Sequence, residues 1–303
     1  FTPRMRYRIK LALILISMLI WGISYPVIKI LLKDGIPPIT LATLRNLIFI
    51  PLLFYVLAGK RYARYSRSDI GLCVALAFFT VFLPNISQNI GMKYTSASIS
   101  SVIQSSSPIF TVMLAFIFLK EARTPNKIVG SLVGLIGTVF LTTGGSFDFD
   151  VTTYGNILIL VSSISYAISG ILIKVALSRI EPVDLLCFEI IFGFFMLLIP
   201  NIVLEDFSVV ISLGIDVWLY ILFLSVFAGF LASIIYYMVL REEEISHLAI
   251  FSYLIPVFAI IFSYIMLHET LGVKDVIFTL VILSGIVITE AGQRKEQHNA
   301  FRW

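Results

Sequence analysis

The sequence predicts an all-α integral membrane protein: ten transmembrane helices arranged as two inverted-topology five-helix repeats around a central cavity. Three observations predict it: a composition too apolar for water, a series of apolar runs long enough to span a bilayer, and a residue pattern that recurs once along the chain. Of the 303 residues, 59% are hydrophobic and 13% are charged. A soluble domain carries about 25% charged residues, because its surface must stay mostly polar. Lipid imposes no such demand. A hydrocarbon core about 30 Å thick takes roughly 20 apolar residues per helix. Ten spans therefore occupy about two-thirds of the chain and leave only short loops.

Apolar runs lie near 11–32, 38–58, 70–92, 95–119, 126–143, 154–176, 184–203, 217–240, 246–267 and 273–291. They are continuous and too long for the alternating strands of a barrel, and lipid leaves helices as the other way to satisfy the backbone. Basic residues fix the orientation. One set of flanks holds Arg4, Arg6, Arg8, Lys10, Lys60, Arg61, Arg64 and Arg67 in the first part of the chain. Lys120, Arg123, Lys127, Lys174, Arg179, Arg241, Arg294, Lys295 and Arg302 continue the same set. The opposite flanks hold Lys29, Lys33, Lys93 and Lys274, and their loops carry Asp148, Asp150, Glu205, Asp206 and Asp216. The positive-inside rule then puts both termini in the cytoplasm. Topology also accounts for the net charge of +4, so no nucleic-acid partner is expected. The basic start leads into a run too long for a cleaved signal. Cys73 and Cys187 sit within apolar runs and read as small buried hydrophobes.

The internal pattern divides the chain into halves at 10–145 and 152–291. Trp21-Gly-Ile-Ser-Tyr-Pro-Val-Ile-Lys29 aligns with Tyr166-Ala-Ile-Ser-Gly-Ile-Leu-Ile-Lys174 at an offset of 145. Pro108, Glu121 and Gly137 align with Pro256, Glu269 and Gly285 at an offset of 148, as Phe79, Phe82 and Leu83 do with Phe227, Phe230 and Leu231. Five spans per half is odd, so the second half enters the membrane upside down. Secondary transporters are often built this way, with substrate near the midplane between the repeats.

At these positions the chain resembles the drug/metabolite transporter superfamily, in its EamA-type prokaryotic branch. The resemblance rests on Trp21-Gly22, on Pro38 followed by Leu44-Arg45, and on Gly91-Met-Lys-Tyr-Thr-Ser-Ala-Ser98 running through Pro108 to Leu119-Lys-Glu121 and a glycine-bearing fifth helix. It covers about 10–291 and is stronger in the first half; in the second, Glu189 falls near the place of Arg45. The resemblance implies a basket of ten helices around a central cavity, with hairpins 3–4 and 8–9 as gates and helices 5 and 10 at the periphery. It further implies a prokaryotic plasma membrane and export or exchange of amino acids, drugs, nucleotide sugars or other small metabolites.

Charges inside the bilayer are functional candidates because each costs at least about 2.5 kcal/mol there. Arg45 and Lys29 lie toward the outer side without an evident acidic partner. They snorkel to the interface or bind backbone carbonyls, ahead of the alternative that they make a site for a carboxylate or phosphate. Glu189 lies on the inner side, too far from Arg45 to pair directly. Lys174 is its expected partner, as a structural ion pair or as part of proton coupling through Glu189. Pro26, Pro84, Pro108 and Pro256 interrupt spans as kinks; Pro108 and Pro256 are candidate hinges. Asn85, Gln88 and Asn89, with Ser100, Gln104 and Ser107, form polar faces expected to look inward. Trp21, Tyr25, Tyr166, Tyr236, Tyr237 and Tyr253 are aromatic candidates for the same pocket. The substrate-binding set is thus Trp21, Tyr25, Arg45, Asn85, Gln88, Gln104, Tyr166, Tyr237 and Tyr253. Gly130 and Gly134 form a GxxxG, read as close helix packing before a dimer face, so the chain is a monomer or homodimer. Glu121 and Glu269 are read as structural carboxylates at the starts of helices 5 and 10.

No catalytic constellation, metal site or cofactor motif is expected. His268-Glu269 lacks the second histidine of HExxH, and Asn85-Ile-Ser87 is a glycosylation sequon buried in a span. The expected function is alternating-access export of a small amphiphilic metabolite or drug, amino-acid-like before other classes. Alternatives are a metabolite exchanger or facilitator for an anionic or sugar-linked solute, or a non-transporting receptor or scaffold.

Overall fold

The computed structural model of the chain describes residues 7–51, 56, 58–59, 61–118, 125–145, 150–242 and 251–300. Arg4, Arg6, Lys60, Leu119, Lys120, Glu121, Arg123, Asp148 and Arg302 lie outside them, as do parts of the second and ninth expected spans.

The helices are α1 (Tyr7–Lys33), α2 (Pro38–Leu47), α3 (Arg67–Tyr94), α4 in two parts, α4a (Ala97–Gln104) and α4b (Ser107–Phe118), and α5 (Pro125–Thr142). They continue with α6 (Val151–Leu177), α7 (Pro182–Leu204), α8 (Ile215–Arg241), α9 (Leu254–Leu267) and α10 (Val273–Ala300). Among the described residues there is no strand. Among the described residues seven helices, α1 and α3 to α8, are long and apolar enough to cross a membrane, and α9 is a shorter apolar helix.

Local chemistry sets the ends. Ser66 and Asp69 form a capping box at α3, Ser96 caps α4a, and Asp150 accepts from Thr153 N at 2.7 Å to start α6. Each supplies an acceptor to a backbone N–H that has no partner inside the helix. The same bonds hold the Asp150 carboxyl below its ordinary value. Pro38 and Pro182 open α2 and α7, where a missing N–H is harmless.

Two apolar clusters sit at opposite ends of the bundle. One joins Ile14 and Met18 of α1 to Cys73 and Leu76 of α3, Leu185 of α7 and Val239 of α8. The other joins Leu31 of α1 to Leu41 of α2, Met92 of α3, Val102 of α4a and Ile221 of α8. Both cysteines are free and buried. On the outer surface Leu132 and Ile136 of α5 and Leu280 and Val287 of α10 are exposed, an apolar skin suited to lipid.

Glycines set the closest crossings. A Cβ on Gly285 would meet Gly134 N at 2.3 Å and Gly130 O at 2.7 Å. The Gly130/Gly134 motif is therefore used up in packing α5 on α10, as close helix approach requires. Gly91 and Gly155 bring α3 and α6 equally near, each facing the other's carbonyl.

Two helices carry a π turn, in α3 at Phe78–Phe82 and in α8 at Phe223–Leu231. These segments contain the phenylalanines that align at an offset of 148. A π turn displaces backbone carbonyls from their regular partners. Ser165 Oγ of α6 donates to Phe79 O at 2.9 Å, and Trp21 Nε1 of α1 donates to Ala228 O at 2.9 Å. The proline breaks behave alike. The Pro108 ring cannot donate to Gln104 O, α4 divides just before it, and Ser163 Oγ supplies that carbonyl at 3.3 Å. Pro256 lies in the first turn of α9.

Candidate functional site

Along α1 the first cluster contains Ile14 and Met18 and the second contains Leu31; between them one face of the helix borders a cavity of about 890 Å³. Trp21, Ser24 and Tyr25 come from α1, and Arg45 and Asn46 from α2. Thr80, Asn85 and Gln88 come from α3, and Ser101, Gln104, Ser105, Ser107 and Pro108 from α4. Tyr166 and Lys174 of α6, Glu189 of α7 and Tyr236 and Tyr237 of α8 close the other side, with Tyr253 and Pro256 at the start of α9. Every residue in the sequence-derived substrate, coupling and hinge sets borders this one space.

Its charged groups are held in distinct ways. Arg45 Nη1 donates to Asn85 Oδ1 at 3.2 Å, and Asn85 Nδ2 in turn donates to Val81 O. Glu189 is 2% exposed, and its Oε2 accepts from Tyr237 OH at 2.7 Å. Tyr166 lies within electrostatic reach of both Arg45 and Tyr237. On the aromatic wall Trp21 and Tyr236 meet edge to face, 5.4 Å between centroids, and Tyr236 neighbours Tyr237 at 6.4 Å. Gln104 has neither amide atom hydrogen-bonded among the described residues.

Several expectations need correction. Lys174 does not pair with Glu189: its Nζ donates to Leu240 O at 3.1 Å, near the end of α8. Of the two readings of Lys29, the structure shows the one on backbone carbonyls and not an anion site with Arg45. Lys29 Nζ donates to Met92 O and, at 2.8 Å, to Thr95 O, at the end of α3. A cation is well placed on the carbonyls of a helix C-terminus. Asn89 faces away from the cavity and donates to Pro38 O at 3.0 Å. Ser100 turns its hydroxyl back to Ser96 O, while Ser101 and Ser105 line the space. Glu269 does sit at a helix N-terminus, but that of α4a: its carboxylate accepts from Ala97 N and Ser98 N, both at 3.1 Å. Glu205 does the same for α2 through Ile39 N and Thr40 N. Sequence reasoning missed Thr80, which carries no sign of its direction on an apolar helix.

At the end of the bundle that holds the α6–α7 connection, Arg241 pairs with Glu181 and Arg179 approaches Asp69 at 3.8 Å. The Arg241 guanidinium holds the Glu181 carboxyl below its ordinary value. Tyr65 donates to Asp184 Oδ2 at 2.7 Å. Burial first, and that bond second, push its phenol up to about 12.

A bundle of membrane-length helices enclosing a chamber walled by charged, amide and aromatic groups defines a multi-pass membrane protein with an internal polar chamber. The chain belongs to the EamA-like transporter family, whose profile matches residues 8–143 and again 153–290. It is 30% identical to an "Uncharacterized transporter" of Archaeoglobus fulgidus, over 92% of this chain and 98% of that one. It is 27% identical to "Uncharacterized transporter YvbV" of Bacillus subtilis, over 97% and 95% of the two chains. A solved crystal structure shares the fold at a TM-score of 0.66 and 15% identity, over 96% of this chain and 99% of that one.

Proposed function

We propose that the chain is a secondary transporter that exports a small amphiphilic, amino-acid-like metabolite or drug across a prokaryotic plasma membrane by alternating access. The observation that carries this reading is the chamber of about 890 Å³, which takes walls from α1–α4 and from α6–α9 alike. The proposal includes ten crossings, cytoplasmic termini and two inverted halves. The double match of the family profile, over 8–143 and 153–290, supports that division. Breaks beside Pro108 and Pro256 are assigned as hinges, and the α3–α4 and α8–α9 hairpins as gates. Proton coupling is assigned to Glu189, with Lys174 securing the end of α8. An exchanger for anionic solutes is the second reading, and Arg45 is the observation that favours it.

The test is reconstitution of the full chain in liposomes with a panel of amino acids, amines, organic acids and sugars. Saturable flux of at least one solute is expected. Gln88→Ala and Gln104→Ala should lower that flux several-fold while leaving the unfolding temperature in detergent unchanged. If no solute moves, the transporter reading falls. Wild-type kinetics in both variants would remove α3 and α4 from the site.

A further inference from the structure

We propose that the cavity is a two-pole site for zwitterions, in which Glu189 receives an ammonium group and Arg45 a carboxylate. The cavity's use in transport rests on the reading above; the assignment of its poles rests on the groups themselves.

Glu189 is nearly fully buried, yet only one of its oxygens is satisfied. Oε2 accepts from Tyr237, whereas Oε1 has no hydrogen-bond partner among the described residues and borders the cavity. Thr80 lies beside the carboxylate but gives its hydroxyl to Leu76 O at 2.7 Å. Lys174 is directed to Leu240 O. A buried carboxylate left in this state is completed by a cation entering from the chamber, since an uncompensated charge there is costly. Trp21, Tyr236 and Tyr237 stand together next to it, and ring faces of this kind favour a cation.

The other pole is Arg45. A guanidinium carries five N–H donors in a planar fork that fits a carboxylate. Its bond to Asn85 Oδ1 is to a neutral acceptor. The ion pairs between described residues, Arg179–Asp69 and Arg241–Glu181, do not include it. Tyr166 lies within electrostatic reach of both Arg45 and Tyr237, on the same cavity wall as Lys174. A solute bearing one charge of each sign on an apolar body satisfies both poles at once. One bearing a single charge leaves a buried ion unmet.

The experiment titrates the full chain in detergent with four probes that share one branched apolar body: L-leucine, 3-methylbutylamine, 4-methylpentanoate and 3-methylbutan-1-ol. Leucine should bind about tenfold or more tighter than either singly charged probe, the size expected of a charged hydrogen bond. Glu189→Gln should make leucine and 4-methylpentanoate bind alike. Arg45→Gln should make leucine and 3-methylbutylamine alike. Tyr237→Phe, a milder change, should weaken only the two ammonium probes and guards against a misfolded Glu189 variant. Equal losses across all four probes in both charge variants would overturn the assignment. So would wild-type protein that binds the alcohol as well as leucine, or that binds none of the four. Leucine flux into liposomes without these charge preferences overturns the poles and leaves the transporter reading standing. The preferences without flux of any probe overturn the transporter reading alone.

Discussion

At Lys29 a buried ammonium meets the carbonyls of Met92 and Thr95, and at Lys174 an exposed side chain donates to that of Leu240. The offset of 145 that aligns α1 with α6 carries Lys29 into Lys174, and the offset of 148 that aligns α3 with α8 carries Met92 into Leu240. Each lysine therefore closes the end of a helix in its own half, satisfying carbonyls that the helix itself leaves open. Replacing Lys29 by Met keeps the apolar stem and removes the donor. Stability should fall by about 1–3 kcal/mol, the penalty for buried acceptors left unmet, read as a lower unfolding temperature in detergent. Unchanged stability in that variant would show that the carbonyls find other donors. The sequence made these two lysines visible as intramembrane charges but not their partners. A carboxylate in the same hairpin looked like the natural mate for Lys174, because helix ends are invisible as acceptors in a string of side chains. Trp21 was legible as a cavity residue for the same reason that its bond to Ala228 O was not: the ring is written in the sequence and the displaced carbonyl is not.

The helices show where local sequence stops determining geometry. Phe79 and Phe82 recur as Phe227 and Phe230, and both sets fall in π turns. No residue type marks the wider turn itself. Gln104 borders the cavity, but the helix is rotated so that Ser101 and Ser105 join it there while Ser100, four residues before Gln104, turns back to Ser96 O. Glu269 was read against the helix nearest in sequence, whereas in space it reaches α4a. Proline is the exception, because its missing N–H acts wherever the chain goes. The α4 break leaves Gln104 O to Ser163. Pro108→Ala supplies the absent N–H and improves helix propensity by up to about 3 kcal/mol, so α4a and α4b should join into one straighter helix. If that break is a working hinge, the variant is at least as stable as wild type and moves solute several-fold more slowly. Full flux at higher stability would make the break a structural kink.

In the proposed arrangement of the whole chain the two halves face opposite ways. Helix pairs cross between them throughout: α1 supports the π turn of α8, α6 that of α3, and α5 lies along α10 with Gly134 against Gly285. Reciprocal crossings of this kind arise when a five-helix unit is paired with an inverted copy, because an odd number of spans returns the chain to the far side. Basic flanks then collect on one face. Ser68 and Ser178, exposed near Arg67 and Arg179, should lie in the cytoplasm, and Thr152 and Ser208, exposed beside Asp150 and Asp206, outside. Single cysteines at these four positions can be read with a membrane-impermeant maleimide, after the buried Cys73 and Cys187 are replaced by Ala. In intact cells positions 152 and 208 should label, and positions 68 and 178 only after permeabilisation. Labelling of 68 and 152 from the same side would place an even number of crossings between them. That result would remove the inversion, and with it the reason for a chamber that opens to each side in turn.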